Sequence, residues 1–233
     1  MFLNMVSIFA TQVDDGYGGY IYDLTPLGYI AIILVMLAFL LIPALLRGNK
    51  SNTADTSKTK LQTKQLVFCA MAMALSIVTS FIKLYDFPFG GSITLCSMLF
   101  VCLIGYWYGP KVGLTTGFAY GLLQLVTGPY IVFPLQVLVD YPLAFGALGL
   151  SGFFWKSKHG LIKGYLAGIL GRYFFAVLSG WLFFGTYAWE GWDPLPYSLA
   201  YNGAYIFAEA AITLIILALP PVQKAMNHVK AQV

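Results

Sequence analysis

The sequence is short of charge. Only 9% of its 233 residues are Asp, Glu, Lys or Arg, against about a quarter in an ordinary soluble domain, and this excludes a solvated globular protein. Histidine is scarcer still. His159 and His228 are the two present, and both fall in basic connecting segments, so no His-based triad and no HExxH metal site forms in the apolar body. There is no GxSxG, no GxxxxGK[ST] and no GxGxxG opening a βαβ unit, so an ATP-driven process would need its nucleotide site on another chain. The three cysteines, Cys69, Cys96 and Cys102, sit in apolar runs without CxxC spacing and read as packing residues. No catalytic residue, cofactor or metal site is expected. The net charge of +4 comes from thinly spread basic residues, so nucleic acid is not an expected partner.

Apolar sequence is what the chain has. Hydrophobic residues make up 59% of it and the mean hydropathy is +0.78, the mark of an integral membrane protein held in a lipid bilayer. Residues 1–23 carry an apolar run of about ten residues without the basic flank of a secretory signal, and read as an interfacial or disordered extracytoplasmic tail. Residues 24–47 make a first transmembrane helix, 48–64 a solvated Ser/Thr/Lys-rich linker, 65–224 a six-helix membrane domain and 225–233 a basic tail. Within the domain the spans fall at about 65–82, 93–107, 112–126, 133–155, 164–184 and 199–219. Basic residues cluster at Arg47 to Lys64, Lys156 to Lys163 and Lys224 to Lys230, while the intervening loops carry Asp14, Asp15, Asp23, Glu190 and Asp193. The positive-inside rule then places the N-terminus outside and the C-terminus in the cytoplasm, with Lys83 against the rule. The fold class is all-α, a six-helix bundle plus one extra N-terminal transmembrane helix.

The stretch Phe133 to Gly152 is long enough to cross a bilayer yet carries Asp140 and Gln136. An Asp at the centre of a membrane helix costs about 2.5–3.5 kcal/mol, so an acid kept there faces the protein interior or a water-filled cavity. Gln136 lies one turn earlier on the same face, and Tyr141, Tyr130 and Pro142 are close in sequence. Pro142 removes a backbone hydrogen bond beside the acid and loosens the helix. An acid among aromatics suits a cationic aromatic ligand. The segment Thr186 to Gly203 adds Trp189, Tyr197 and Asn202; the interfacial aromatic belt is a plainer account of Trp189. Arg172 reads as an ion-pair partner or as a side chain snorkelling to the cytoplasmic face, and Glu209, near mid-bilayer, has Arg172, a proton or a ligand as its options. Ala70 and Ala74 make a small-xxx-small face for another helix, internal packing being the simpler use.

Several segments in order resemble one family. They are GGSITL (90–95), YGPKVGLTTGFAYGLLQ (108–124), PLQVLVDYPLAFGALGLSG (134–152), RYFFAVLSGWLFFGTYA (172–188) and YSLAYNGAY (197–205), and over about 66–224 they look like the thiamine-binding S components, the ThiT family, of energy-coupling factor (ECF) transporters. The resemblance implies a protein of the bacterial cell membrane that captures thiamine from outside, then releases it inward with a transmembrane coupling subunit and two cytoplasmic ATPases. It places the family's binding residues on Asp140, Tyr141, Gly180, Phe184, Tyr197 and Asn202, and its coupling face on Ala70 and Ala74. Two positions depart from the pattern: Ala176 stands where the family has a histidine, and Asp140 where it usually has the longer Glu. A related thiamine precursor as ligand, or a solitary proton-coupled transporter using Asp140 and Glu209, are the alternatives.

Overall fold

The computed structural model describes residues 8–17, 19–47 and 63–232; most of the expected linker, 48–62, lies outside them. The elements in order are β1 (Ala10–Asp14), β2 (Tyr20–Leu24), α1 (Pro26–Arg47), α2 (Thr63–Ser80), β3 (Lys83–Asp86), β4 (Ser92–Thr94), α3 (Ser97–Tyr108), α4 (Pro110–Gln124), a composite span α5 (Pro134–Phe154), α6 (Gly160–Phe183), α7 (Pro194–Ala218) and α8 (Pro220–Gln232). The protein is an all-α, multi-pass membrane protein. α2, α5, α6 and α7 are each long and apolar enough to cross a bilayer. α3 and α4, at 12 and 15 residues, are shorter than the roughly 20 needed to cross a 30 Å core as straight helices.

Of the expected N-terminal tail, residues 1–7 and 18 lie outside the described residues, and the described part carries regular structure. β1 and β2 form an antiparallel hairpin in register from Ala10 opposite Leu24 to Asp14 opposite Tyr20. Thr25 then starts α1: its hydroxyl accepts from the Gly28 N–H at 3.1 Å, and Pro26 fills the first helical position, where a missing N–H costs nothing. At the other end of the chain, part of the expected tail lies in a helix, α8, whose Val222 and Met226 pack against the core.

α3, α4 and α5 touch backbone to backbone because glycine leaves room. A Cβ on Gly113 would lie 2.6 Å from Gly105 Cα, and one on Gly149 would lie 2.2 Å from the Leu114 nitrogen. Without a hydrophobic drive between helices in lipid, such close contact is what holds spans together. The buried core, with Met98, Val101, Cys102, Tyr120, Leu148, Tyr165, Ile169 and Ile206, is shared by α3 to α7. α2 sits at the side: Cys69, Ala72 and Ser76 face inward, while Ala70 and Ala74 are exposed. Their small face is therefore not used for internal packing, a role taken by the glycines.

α5 is not a regular helix. It is α-helical over Pro134–Leu138, widens to a π turn over Val139–Leu143, and ends as a tighter 3-10 helix over Ala147–Phe154. The π turn contains Asp140 and Pro142, and a missing proline N–H is the physical reason the ladder changes there.

Of the options read from the sequence, Arg172 is not the partner of Glu209: among the described residues the one ion pair is Lys83 with Asp86. Glu209 is buried, and its Oε2 accepts from Thr94 N–H at 3.2 Å and Thr94 Oγ1 at 2.5 Å, while Oε1 accepts from Ser97 Oγ at 3.0 Å and Met98 N–H at 3.1 Å. Cys96, at the N-cap of α3, has a left-handed backbone and no capping side chain. A carboxylate from α7 thus satisfies the free N–H groups and favours the positive end of α3, which allows irregular backbone at membrane depth. Glu209→Ala leaves these donors unanswered and should cost about 3 kcal/mol or more, since hydrogen bonds to a charged group are worth roughly 1.5–3 kcal/mol each. The expected outcome is a thermal unfolding temperature several degrees lower in detergent, with Ala70→Leu near the parent; equal stability of Glu209→Ala would refute the capping role.

Candidate functional site

The hairpin end of the bundle opens into a cavity of about 230 Å³. Asp140, Tyr141, Gln136 and Tyr130 come to it from α5 and the loop before it, Gly180 and Phe184 from the end of α6, and Tyr197 and Asn202 from the start of α7. Trp189 does not line it; half exposed, it packs against Trp192 and Tyr197 with ring centroids 5.0 and 5.3 Å away. The interfacial account fits that position.

Gln136 is the bracket of the site. Fully buried, it donates through Nε2 to Asp140 Oδ2 at 2.6 Å and to the Tyr130 carbonyl at 3.0 Å, and its Oε1 accepts from the Val132 N–H at 3.1 Å. One side chain therefore aims the carboxylate and pins the 130–132 loop. Tyr141 does similar work, its hydroxyl accepting from the Tyr130 N–H at 2.8 Å. Asn202 is also committed: Nδ2 donates to Ser198 O and Oγ at 3.0 and 3.1 Å, and Oδ1 accepts from the Tyr205 hydroxyl at 2.8 Å. An amide so engaged offers a ligand only spare acceptor capacity. Gly180 lets α7 come close, since a Cβ there would lie 2.2 Å from Ser198 Oγ.

Arg172 neither snorkels nor pairs. It lines the cavity, and its guanidinium lies 4.4 Å over the Phe145 ring; among the described residues the one ion pair is Lys83 with Asp86 at 3.0 Å. A planar, weakly hydrated cation is at home on an aromatic face, so the cavity holds a carboxylate and a guanidinium without an ion pair joining them.

The sequence reading missed the roof. In the FPFGGS segment (87–92), which links α2 to α3, Phe89 lines the cavity in a left-handed conformation, φ 63°, which costs a non-glycine residue about 1–2 kcal/mol. Tyr201 holds the turn in place: its hydroxyl accepts from the Gly91 N–H at 3.0 Å and donates to the Pro88 carbonyl. Phe89 meets Tyr187 at 4.5 Å, and Tyr130 lies parallel to Phe184 at 6.0 Å. An aromatic between turn residues was the signal available. The site can thus present one carboxylate and several ring faces to a small ligand.

The family model described as Thiamine transporter protein matches residues 66–228. The chain belongs to that family. Among its relatives, the thiamine transporter ThiT of Bacillus subtilis (strain 168) is 35% identical over 179 residues, covering 68% of this chain and 92% of the relative. The thiamine transporter ThiT of Lacticaseibacillus paracasei is 27% identical over 170 residues, 65% of this chain and 81% of the relative. A solved structure of ThiT from Listeria monocytogenes shares 30% identity at a TM-score of 0.57, covering 67% of this chain and 94% of that one. The thiamine transporter family is one of transporters, not of enzymes, and the matched region is the six-helix part with its cavity. The hairpin and α1 precede it.

Tyr201→Phe removes both the acceptor for Gly91 and the donor to Pro88. Amide exchange at Gly91 should speed up about thirtyfold, as expected for loss of two hydrogen bonds worth roughly 1 kcal/mol each. Unchanged exchange by mass spectrometry would mean the turn is held by something else.

Proposed function

We propose that this chain is the substrate-binding component of an ECF-type thiamine uptake system. The observation that carries the reading is a carboxylate, Asp140, aimed by Gln136 into an aromatic-lined cavity in a member of the thiamine transporter family. Thiamine joins an aminopyrimidine, whose amine a carboxylate accepts from, to a thiazolium cation that ring faces hold. Asp140 binds the polar or cationic part; Tyr141, Phe184, Tyr197 and Tyr130 supply ring faces; Asn202 offers its amide oxygen, and Gln136 acts through Asp140. Arg172 on Phe145 bounds the pocket on the other side.

The hairpin end faces outside, in line with the basic residues gathered at the opposite end, from Lys64 and Lys111 to Lys224 and Lys230. Inward release depends on a coupling subunit and two ATPases, because the chain carries no nucleotide motif. The exposed Ala70/Ala74 face of α2 suits close approach of a coupling helix. Solitary proton-driven transport is less well supported, since both Glu209 oxygens are taken up by α3 and Thr94. A related precursor as ligand has one observation in its favour: Ala176 lines the cavity and brings no polar atom to it.

Titration of the purified chain with thiamine should quench tryptophan fluorescence saturably, and Asp140→Asn should weaken binding about 10- to 100-fold, the worth of a charge-assisted contact. A folded chain without a saturable response would overturn the reading. Tighter binding of the isolated pyrimidine half than of thiamine would favour the precursor. Uptake by vesicles containing this chain alone, driven by a pH gradient, would remove the ATPase partners.

A further inference from the structure

The hairpin lies outside the matched region yet is built against the mouth of the cavity. The Tyr22 N–H donates to the Ile131 carbonyl at 2.7 Å, in the same loop that Gln136 brackets from inside. The Tyr17 ring meets Phe89 edge-on at 4.9 Å. Asp15 closes the hairpin turn, its Oδ1 accepting from the Tyr17 and Gly19 N–H groups at 2.8 and 2.9 Å. Its Oδ2 is shielded from solvent beside the Tyr187 hydroxyl, which draws the Asp15 carboxyl below its ordinary pKa. Burial, and after it that same contact, push the Tyr187 phenol up. Gly19 makes the approach possible: a Cβ there would lie 2.4 Å from the Tyr187 oxygen and 2.7 Å from Asp15 Oδ2. Its φ is not positive, so the need for glycine is one of space.

These contacts end on cavity-lining residues or on their immediate neighbours. Phe89 and Tyr130 line the cavity, and Tyr187 touches Phe89 and Phe184, another lining residue. Away from these contacts the strands are loosely held: Val13 and Tyr20 are largely exposed, so the segment can open without disturbing the core. Its two ends are fastened together at the head of α1, where the Thr25 hydroxyl donates to the Ile8 carbonyl at 2.6 Å, so the hairpin is tethered to the start of that helix.

We propose that the hairpin is a lid over the ligand cavity, latched by Tyr17 on Phe89 and by Asp15 against Tyr187, and that its opening governs how fast bound ligand leaves. Asp15 and Tyr17 are positioning residues that act through Phe89 and Tyr187. The lid also brings the Asp15 carboxylate beside Tyr187 near the mouth, a sign of charge that suits a cationic ligand. The inference rests on reading the cavity as a thiamine site.

The test uses the full chain in lipid nanodiscs loaded with radiolabelled thiamine and chased with unlabelled thiamine. Tyr17→Ala and Gly19→Ala should each speed release about three- to tenfold, the range set by one aromatic pair, while Tyr17→Phe, which keeps the ring contact, releases at the parent rate. Parent-like release in both Tyr17→Ala and Gly19→Ala overturns the lid. Amide exchange of the ligand-free chain separates the two readings: Tyr17→Ala should speed exchange at Tyr22 and at Gly91, and unchanged exchange also overturns the lid. If the parent binds no thiamine, the functional reading fails and the exchange experiment alone decides.

Discussion

A carboxylate at membrane depth has no water to answer it, and the bundle is arranged so that donors from the protein do so instead. Glu209 receives four, two of them backbone N–H groups where β4 gives way to α3. That arrangement permits a short α3 preceded by extended backbone, and the extended backbone in turn leaves space for a cavity between the spans. Asp140 is answered differently: Gln136 holds one oxygen, and the rest of the group remains turned to the cavity. The two acids thus differ in their surroundings, one fastening helices and the other turned to the cavity, and the difference comes from how many donors surround each.

The cavity is shaped by departures from regular structure. The π turn around Pro142 places Asp140, the left-handed Phe89 supplies a ring to the roof, and Gly180 brings Ser198 and Asn202 inward. Each departure carries a local cost that tertiary contacts offset: Tyr201 on the roof turn, Gln136 on the 130–132 loop, the α7 side chains on α6. Functional sites often gather such strained geometry because the surrounding structure over-determines it.

Much of the domain was legible in the chain. The spans at 65–82, 164–184 and 199–219 each meet a helix whose ends differ by a few residues, because length and hydropathy are local properties. Asp140, Gln136, Tyr141, Gly180, Phe184, Tyr197 and Asn202 meet at one cavity, as the cost of burying polar groups suggested for the first two and the family likeness for the rest. Arg172 and Glu209 were recognised as costly and read as partners for one another, since two ionisable groups in one bundle suggest each other unless donors from elsewhere are visible. Phe89 and the hairpin were not foreseen. Nothing in an apolar turn or a short N-terminal segment states which distant ring it will touch.

By itself the sequence determined that the chain lives in a membrane, where its helices run, and that an acid at position 140 must face something other than lipid, all of which follow from the free energy of transferring residues into hydrocarbon. Only the tertiary structure decided which donors answer each acid, that Arg172 rests on Phe145, and that the residues before α1 reach the cavity mouth. Those outcomes depend on contacts between residues more than a hundred positions apart, such as Glu209 with Thr94 and Tyr201 with Gly91. No local pattern encodes such a pairing, because it exists only once the helices have packed.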